Sequence, residues 1–122
     1  MKYPKHEDHR GFFQELLKSS EGEGYMKPEQ VSWFTINPGK SRGNHYHKST
    51  IEKFILLEGE CKITITSALD PNNSMEFTLE QSGESFFAET YMIHTFYSET
   101  GCKILVLSNK EFDPDKPDTY VI

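Results

Sequence analysis

The feature that most restricts this chain is the rhythm of its β-branched and aromatic residues. They come in short runs, such as Val31-Ser32-Trp33-Phe34-Thr35-Ile36 and Cys61-Lys62-Ile63-Thr64-Ile65-Thr66-Ser67, broken by turn residues at intervals of roughly 8–12 positions. Asn37-Pro38-Gly39 and Asp70-Pro71-Asn72-Asn73 are two of the breaks. The pattern predicts an all-β sandwich or barrel of about nine strands: Gly11–Leu17, Gln30–Ile36, Asn44–Lys48, Glu52–Leu57, Cys61–Ser67, Met75–Glu80, Ser85–Ala88, Ile93–Ser98 and Cys102–Ser108. Helical spacing occurs only over Gln14–Ser20, where it competes with the strand, so at most one short helix is expected. Ser19–Gly24 reads as a mobile surface loop. At 122 residues the chain fits one domain, 1–122, with a surface tail at about 109–122.

Charge narrows the function classes. Thirteen Lys and Arg stand against 19 Asp and Glu, net −6, with no block of like charges, so a nucleic-acid partner is not expected. No apolar run approaches the length of a membrane span, and the start has no signal-peptide core, so no membrane partner is expected and the predicted address is cytoplasmic. Cys61 and Cys102 lie inside apolar runs and read as buried, reduced thiols.

The chemistry is concentrated in Gly43-Asn44-His45-Tyr46-His47-Lys48-Ser49-Thr50-Ile51-Glu52. In a strand, residues two apart share a face, so His45 and His47 would project together while Tyr46 points away. Glu52 opens the next strand on the face that carries Phe54 and Leu56, and His94 heads the later run Ile93-His94-Thr95-Phe96-Tyr97. Three imidazoles and one carboxylate, from His45, His47, Glu52 and His94, suit a divalent metal such as Zn2+, Mn2+, Fe2+ or Ni2+. His6 and His9 sit in a polar segment and read as solvated. Between residues 40 and 53, Lys40, Arg42, Lys48 and Lys53 oppose a single acid, Glu52, an excess of cations suited to a diphosphate. The same cations could equally mark a solvated strand edge. Tyr46, Trp33, Phe54, Phe86, Phe87 and Phe96 could line a pocket, though core packing is the commoner role of such residues.

The spacing G-x-H-x-H-x4-E-x6-G, filled by Gly43, His45, His47, Glu52 and Gly59, with Gly83 and His94 downstream, resembles the cupin superfamily. The resemblance implies a single-domain cupin, a double-stranded β-helix or jelly-roll barrel with a three-histidine, one-glutamate metal site, for which Zn2+ is the expected ion. Glu89 and Tyr91 stand where the second cupin motif has Pro and Gly, so the turn before His94 is unusual. Asp8-His9-Arg10-Gly11-Phe12-Phe13-Gln14-Glu15 resembles the opening of dTDP-4-dehydrorhamnose 3,5-epimerases, and Arg42-Gly43-Asn44-His45-Tyr46 resembles their segment bearing the base histidine. Gln30-Val31-Ser32, Pro38-Gly39, Gly43–Phe54 and the tail Phe112-Asp113-Pro114 with Pro117-Asp118-Thr119-Tyr120 resemble the carboxy-terminal cupin domain of CapF-type capsular-polysaccharide enzymes. That domain is a zinc-containing epimerase of a UDP-4-keto-6-deoxy sugar, normally fused behind a reductase domain. Arg42–Lys48 is also similar to a segment of nucleotide-sugar 3,4-ketoisomerases.

These resemblances imply an epimerase acting at C3, and in some relatives also C5, of a nucleotide-linked 4-keto-6-deoxy sugar in surface-polysaccharide biosynthesis. A 3,4-ketoisomerase and a non-catalytic, metal-dependent sugar-binding cupin are the alternatives. Expected partners are the nucleotide-diphosphate sugar, a second copy of the chain, and a separate reductase or dehydratase of the same pathway. The substrate-binding set is Arg10, Glu15, Arg42 and Lys48; the catalytic set is His45, Lys53, Tyr46 and Tyr91. Enolisation beside a ketone needs a base, and a cation or donors at the developing oxyanion, which a metal or Lys53 could supply. A histidine nitrogen that binds metal cannot accept a proton, so His45 is base or ligand, not both through one atom.

Overall fold

The structure, a computed structural model, describes residues 2–18 and 27–121. These residues form ten strands: β1 (Lys5–Asp8), β2 (Gly11–Gln14), β3 (Gln30–Ile36), β4 (Lys40–His45), β5 (Glu52–Gly59), β6 (Cys61–Ser67), β7 (Ser74–Leu79), β8 (Ser85–Ala88), β9 (Met92–Ser98) and β10 (Cys102–Ser108). β1 and β2 make a two-stranded sheet; the others form two four-stranded sheets, ordered β3-β10-β5-β8 and β4-β9-β6-β7. Every pairing is antiparallel. The larger sheets bury their inner faces against each other as a jelly-roll barrel, with Ile36, Phe54, Leu56, Ile63, Leu79, Phe96 and Ile104 from both sheets in one cluster. Each such side chain contributes roughly 1.5–3 kcal/mol of transfer free energy.

β5 is buried on both faces, which sets it apart from its neighbours. Phe54 and Leu56 enter the barrel, while Lys53 and Ile55 point to the outer side, where Ile55 and Leu107 are covered by Leu16 and Leu17. The continuous apolar run Phe54–Leu57 reflects that double cover rather than simple alternation.

Several elements depart from the sequence expectation. Gly11–Leu17 is not one strand: Asp8 accepts the Arg10 amide at 2.9 Å, turning the chain between β1 and β2, and β2 ends at Gln14. β1 was not anticipated. No described residue is helical; the end of the Gln14–Ser20 window and the Ser19–Gly24 loop lie outside the described residues. The expected strand Asn44–Lys48 is instead β4, Lys40–His45, displaced toward the amino terminus for a reason that bears on the site. Both cysteines are buried free thiols. Burial pushes the Cys61 thiol up to about 12.

Candidate functional site

β4 pairs with β9, and the register slips between Gly43 and His45, so that His45 lies directly opposite His94. The extra residue is Asn44, held at φ 66°. Left-handed backbone is tolerated by Asn better than by most residues, and one bulged residue re-aims the next side chain. Gly43 makes the close approach possible. A Cβ there would lie 2.4 Å from the His94 carbonyl oxygen, so any larger residue would force β4 and β9 apart.

His45 and His47 therefore do not converge through strand alternation. β4 ends at His45, Tyr46 forms an isolated bridge with Tyr120, and His47 sits in the turn leading to β5. The outcome is still a cluster: ring centroids are 5.4 Å apart for His45 and His47, 4.9 Å for His45 and His94, and 5.6 Å for His47 and His94. One ligand nitrogen from each ring lies within 4.8 Å of the others. Nitrogens each about 2.1 Å from one tetrahedral ion lie about 3.4 Å apart, so rings this close share an ion after small side-chain rotations. Glu52, first residue of β5, places Oε1 2.8 Å from His47 Nε2 and 3.8 Å from His94 Nε2.

The outer nitrogens are engaged. His94 Nδ1 donates to the Met92 carbonyl at 3.1 Å, and His47 Nδ1 donates to the Asp118 carbonyl. Both Nε2 atoms are thereby aimed at the cluster, the arrangement expected of ligating imidazoles. Burial drives the His94 pKa down to about 4, against the partial support of Glu52. His45 is lowered mainly by burial, then by His47. For His47 burial pulls down most strongly, but the bonds to Glu52 and Asp118 together outweigh it and the pKa rises. Glu52 is lowered: burial opposes ionisation, and the His47 bond with the three imidazoles overcomes it. Near neutral pH the cluster thus presents two neutral imidazoles and an ionised carboxylate beside His47, a donor set that suits a borderline divalent ion.

A cavity of about 240 Å³ opens over the cluster, lined by Ser32, Phe34, Arg42, His45, Glu52, Phe54, His94 and Phe96, among others. Its floor is aromatic, with Phe54 4.8 Å from Phe96 and 5.3 Å from His94, centroid to centroid. Arg42 lies over Phe34, with Nε donating to the Thr35 carbonyl at 3.0 Å.

The other expected site residues lie elsewhere. Lys53 is fully buried on the outer face of β5, where Nζ donates to the Leu16 carbonyl at 2.8 Å and lies over Phe87; the intervening strand separates it from the cavity. Tyr46 stacks on Tyr91, with Tyr120 beside it, and neither Tyr46 nor Tyr91 lines the cavity. Arg10 pairs with Asp8 at 2.6 Å in the β1–β2 turn, and Glu15 faces His6 at 3.9 Å, so Arg10 and Glu15 pair neither with each other nor with the cluster. The Lys48 ammonium rests on Tyr120. Trp33 is exposed on the outer face, and Phe86 packs against the core.

The sequence marked the turn before His94 as unusual without giving its conformation, and it gave Asp118 no role. Tyr91 occupies left-handed backbone at φ 61°, where the motif's glycine would be unstrained, and its amide donates to the His47 carbonyl at 2.7 Å. Asp118 receives the amides of Lys48, Ser49 and Thr50 and the hydroxyls of Ser49 and Thr50. Burial works against its ionisation, but these donors hold the carboxyl well below the usual range. The paired hydroxyls just before Glu52 hint at a shared acceptor, but no local spacing points to a residue in the tail.

A jelly-roll barrel carrying histidines at its mouth and a glutamate at the start of an inner strand is a cupin fold. Residues 6–120 match the family described as the polysaccharide biosynthesis C-terminal domain, and the chain belongs to that family. It is 31% identical over 119 residues to a UDP-2-acetamido-2,6-beta-L-arabino-hexul-4-ose reductase of Pseudomonas aeruginosa, covering 96% of this chain and 30% of the relative. Among solved structures it is similar to the capsular polysaccharide assembling protein CapF of Staphylococcus aureus, at TM-score 0.70 and 29% identity, over 98% of this chain and 33% of that one. The chain thus spans about a third of the length of these two proteins. The fold is shared with the sugar 3,4-ketoisomerase QdtA of Thermoanaerobacterium thermosaccharolyticum, solved with TDP, at TM-score 0.81 and 21% identity over 98% of this chain and 83% of that one. It is also shared with the RmlC epimerase of Mycobacterium tuberculosis, at TM-score 0.83 and 17% identity over 100% and 66%. No helix among the described residues is long and apolar enough to cross a membrane.

Proposed function

We propose that this chain is a metal-binding cupin that epimerises a nucleotide-linked 4-keto-6-deoxy sugar at C3 in polysaccharide biosynthesis. The observation that carries the reading is the convergence of His45, His47, Glu52 and His94, of which His45, Glu52 and His94 line an aromatic cavity that Arg42 also lines. His47, Glu52 and His94 fit a divalent ion, Zn2+ first, through nitrogens already oriented by carbonyl acceptors and through a carboxylate that is ionised when the ion binds. Such an ion, held by these residues, would supply a positive charge able to stabilise negative charge developing on the substrate.

The remaining work falls to the protein. Arg42 brings a guanidinium suited to the diphosphate, held against Phe34. The aromatic floor gives the sugar an apolar face to rest on and keeps water from the reacting carbon. His45, half-buried and uncharged near neutral pH, is the imidazole at the cavity best able to take the C3 proton; His94 is almost wholly enclosed. Epimerisation breaks the C3–H bond, leaves the electron pair delocalised onto the C4 oxygen, and re-forms a C–H bond on the opposite face with a proton delivered there. A dehydratase would supply the 4-keto sugar and a reductase would consume the product; similarity to one third of a longer reductase supports a place beside a reductive step.

The test is solvent exchange. A UDP- or dTDP-4-keto-6-deoxyhexose incubated with the protein in heavy water should gain deuterium at C3 and emerge altered only in stereochemistry. Asn in place of His45 should abolish exchange. If bound metal persists in that variant, His45 is the base; if metal leaves with the exchange, it is a ligand. Migration of the ketone from C4 to C3 would establish the ketoisomerase reading, and tight sugar binding with neither reaction would establish a binding module.

A further inference from the structure

The histidine cluster is held from a distance. His47 lies in the turn between β4 and β5, where Glu52 Oε1 holds one side of its ring at Nε2, 2.8 Å away, and leaves the outer nitrogen Nδ1 to another partner. Its Nδ1 donates to the main-chain carbonyl of Asp118, 71 residues away in sequence. The carboxylate of the same residue is locked in place. Oδ1 accepts the Lys48 amide at 2.9 Å, and Oδ2 accepts the Ser49 amide and hydroxyl, both at 2.9 Å, with the Thr50 amide at 2.8 Å and hydroxyl at 2.9 Å. Two residues on, Tyr120 exchanges main-chain hydrogen bonds with Tyr46, at 2.9 Å in each direction. The tail therefore grips the ligand turn on both sides of His47, through the side chain of Asp118 and the backbone of Tyr120.

We infer that Asp118 is a positioning residue for the metal site: by seating its own carbonyl against His47 Nδ1, it fixes the imidazole so that Nε2 faces Glu52 and the other histidines. An imidazole whose Nδ1–H is bound to a carbonyl has its tautomer and ring angle set, which is what a metal-ligating histidine requires of its outer partner. The grip is not a general feature of the tail. Asp113, five residues earlier, accepts, among the described residues, only the Asp115 and Lys116 amides of its own turn, through Oδ1 and its carbonyl respectively. This inference deepens the proposed metal-binding reading and rests on it for the identity of the ion.

The experiment uses the full chain and measures Zn2+ affinity by competition with a chromophoric chelator, with folding checked by circular dichroism. Asp118→Ala should weaken binding about 10- to 100-fold in protein that remains folded, whereas Asp113→Ala should bind like the wild type. Asp118→Asn keeps the shape and an acceptor oxygen but sets an amide group against backbone donors; it should show part of the loss, and it serves if the Ala variant fails to fold. In parallel, the 15N spectrum of the metal-free imidazoles should show a slowly exchanging Nδ1 proton on His47 whose exchange accelerates strongly in Asp118→Ala and partly in Asp118→Asn. Zn2+ affinity and a His47 signal unchanged in folded Asp118 variants would overturn the inference. If the wild type bound no Zn2+, the metal reading would fall, and the His47 signal alone would still decide whether Asp118 positions the ring.

Discussion

Lys53 is wholly enclosed, yet its ammonium finds the Leu16 carbonyl and the face of Phe87 on the outer side of β5. A buried cation is tolerated only when its donors are engaged, and here the engagement ties the amino-terminal segment to the barrel. Its neighbours in the chain behave differently: Glu52 and Phe54 point inward and reach the cavity. One residue of register thus separates a group at the site from a group that fastens the outer face. Replacing Lys53 by Met keeps most of the packing volume and leaves the Leu16 carbonyl without this donor. The expected result is a loss of about 1–2 kcal/mol in denaturant unfolding with turnover of the nucleotide sugar unchanged. A tenfold fall in turnover at unchanged stability would instead place Lys53 in the chemistry, as the cation count around it suggested. At the same scale, His45, His47 and Glu52 were legible as a group because they sit close together in sequence, while His94 was tied to them only through the motif it resembles. The backbone that unites them was not, since an Asn bulge and a strained Tyr91 leave no periodic trace.

At the scale of elements, the turn between β9 and β10 shows a device used twice in this fold, a single carboxylate gathering the donors of a turn. Glu60 Oε1 accepts the amides of Glu99 and Thr100, each at 3.0 Å, and the hydroxyls of Thr100 at 3.1 Å and Ser98 at 3.2 Å. The Thr100 amide bond is the largest influence holding the Glu60 carboxyl below its ordinary value; burial, next in size, opposes it, and the Thr100 and Ser98 hydroxyls and the Glu99 amide add to the lowering. Because the folded-state pKa is depressed, the stabilisation is complete above the ordinary value of about 4.3 and disappears as pH falls through the folded-state value. Glu60→Gln retains an acceptor and removes the charge. It should cost about 1 kcal/mol or less at pH 7, since the carboxylate lies near water, and the difference from wild type should shrink toward zero as pH falls below the ordinary carboxylate range in pH-dependent urea unfolding. A gap that stays constant with pH would mean that the charge contributes nothing. Strands β5, β6 and β10 were readable to within two residues because their inward positions carry Phe, Ile, Leu and Cys at the right spacing. β4 was not: five of its six residues are exposed and its bulge breaks the period. The link from Asp118 to Ser49 spans 69 residues and depends entirely on how the tail returns across the barrel.

At the scale of the whole molecule, the distribution of exposed apolar surface points to a second copy. Phe12 and Phe13 on the β1–β2 hairpin are 59% and 64% exposed, and Val31 and Trp33 on β3 are each 62% exposed. β3 is an edge strand, paired only with β10, and the hairpin forms a two-stranded sheet on which no other strand packs extensively. A hairpin of four-residue strands is marginal by itself in water, and an apolar edge strand invites pairing. Both deficiencies are met if the hairpin of one copy lies against β3 and the outer face of its partner, in a two-fold arrangement that uses each surface twice. The expected solution state is a homodimer by light scattering at micromolar concentration. Trp33→Ser and Phe13→Ser should each shift it toward monomer while leaving the barrel folded by circular dichroism, because neither side chain enters the interior cluster. A wild-type monomer under those conditions, or dimers indifferent to both substitutions, would show that these surfaces serve something other than self-association.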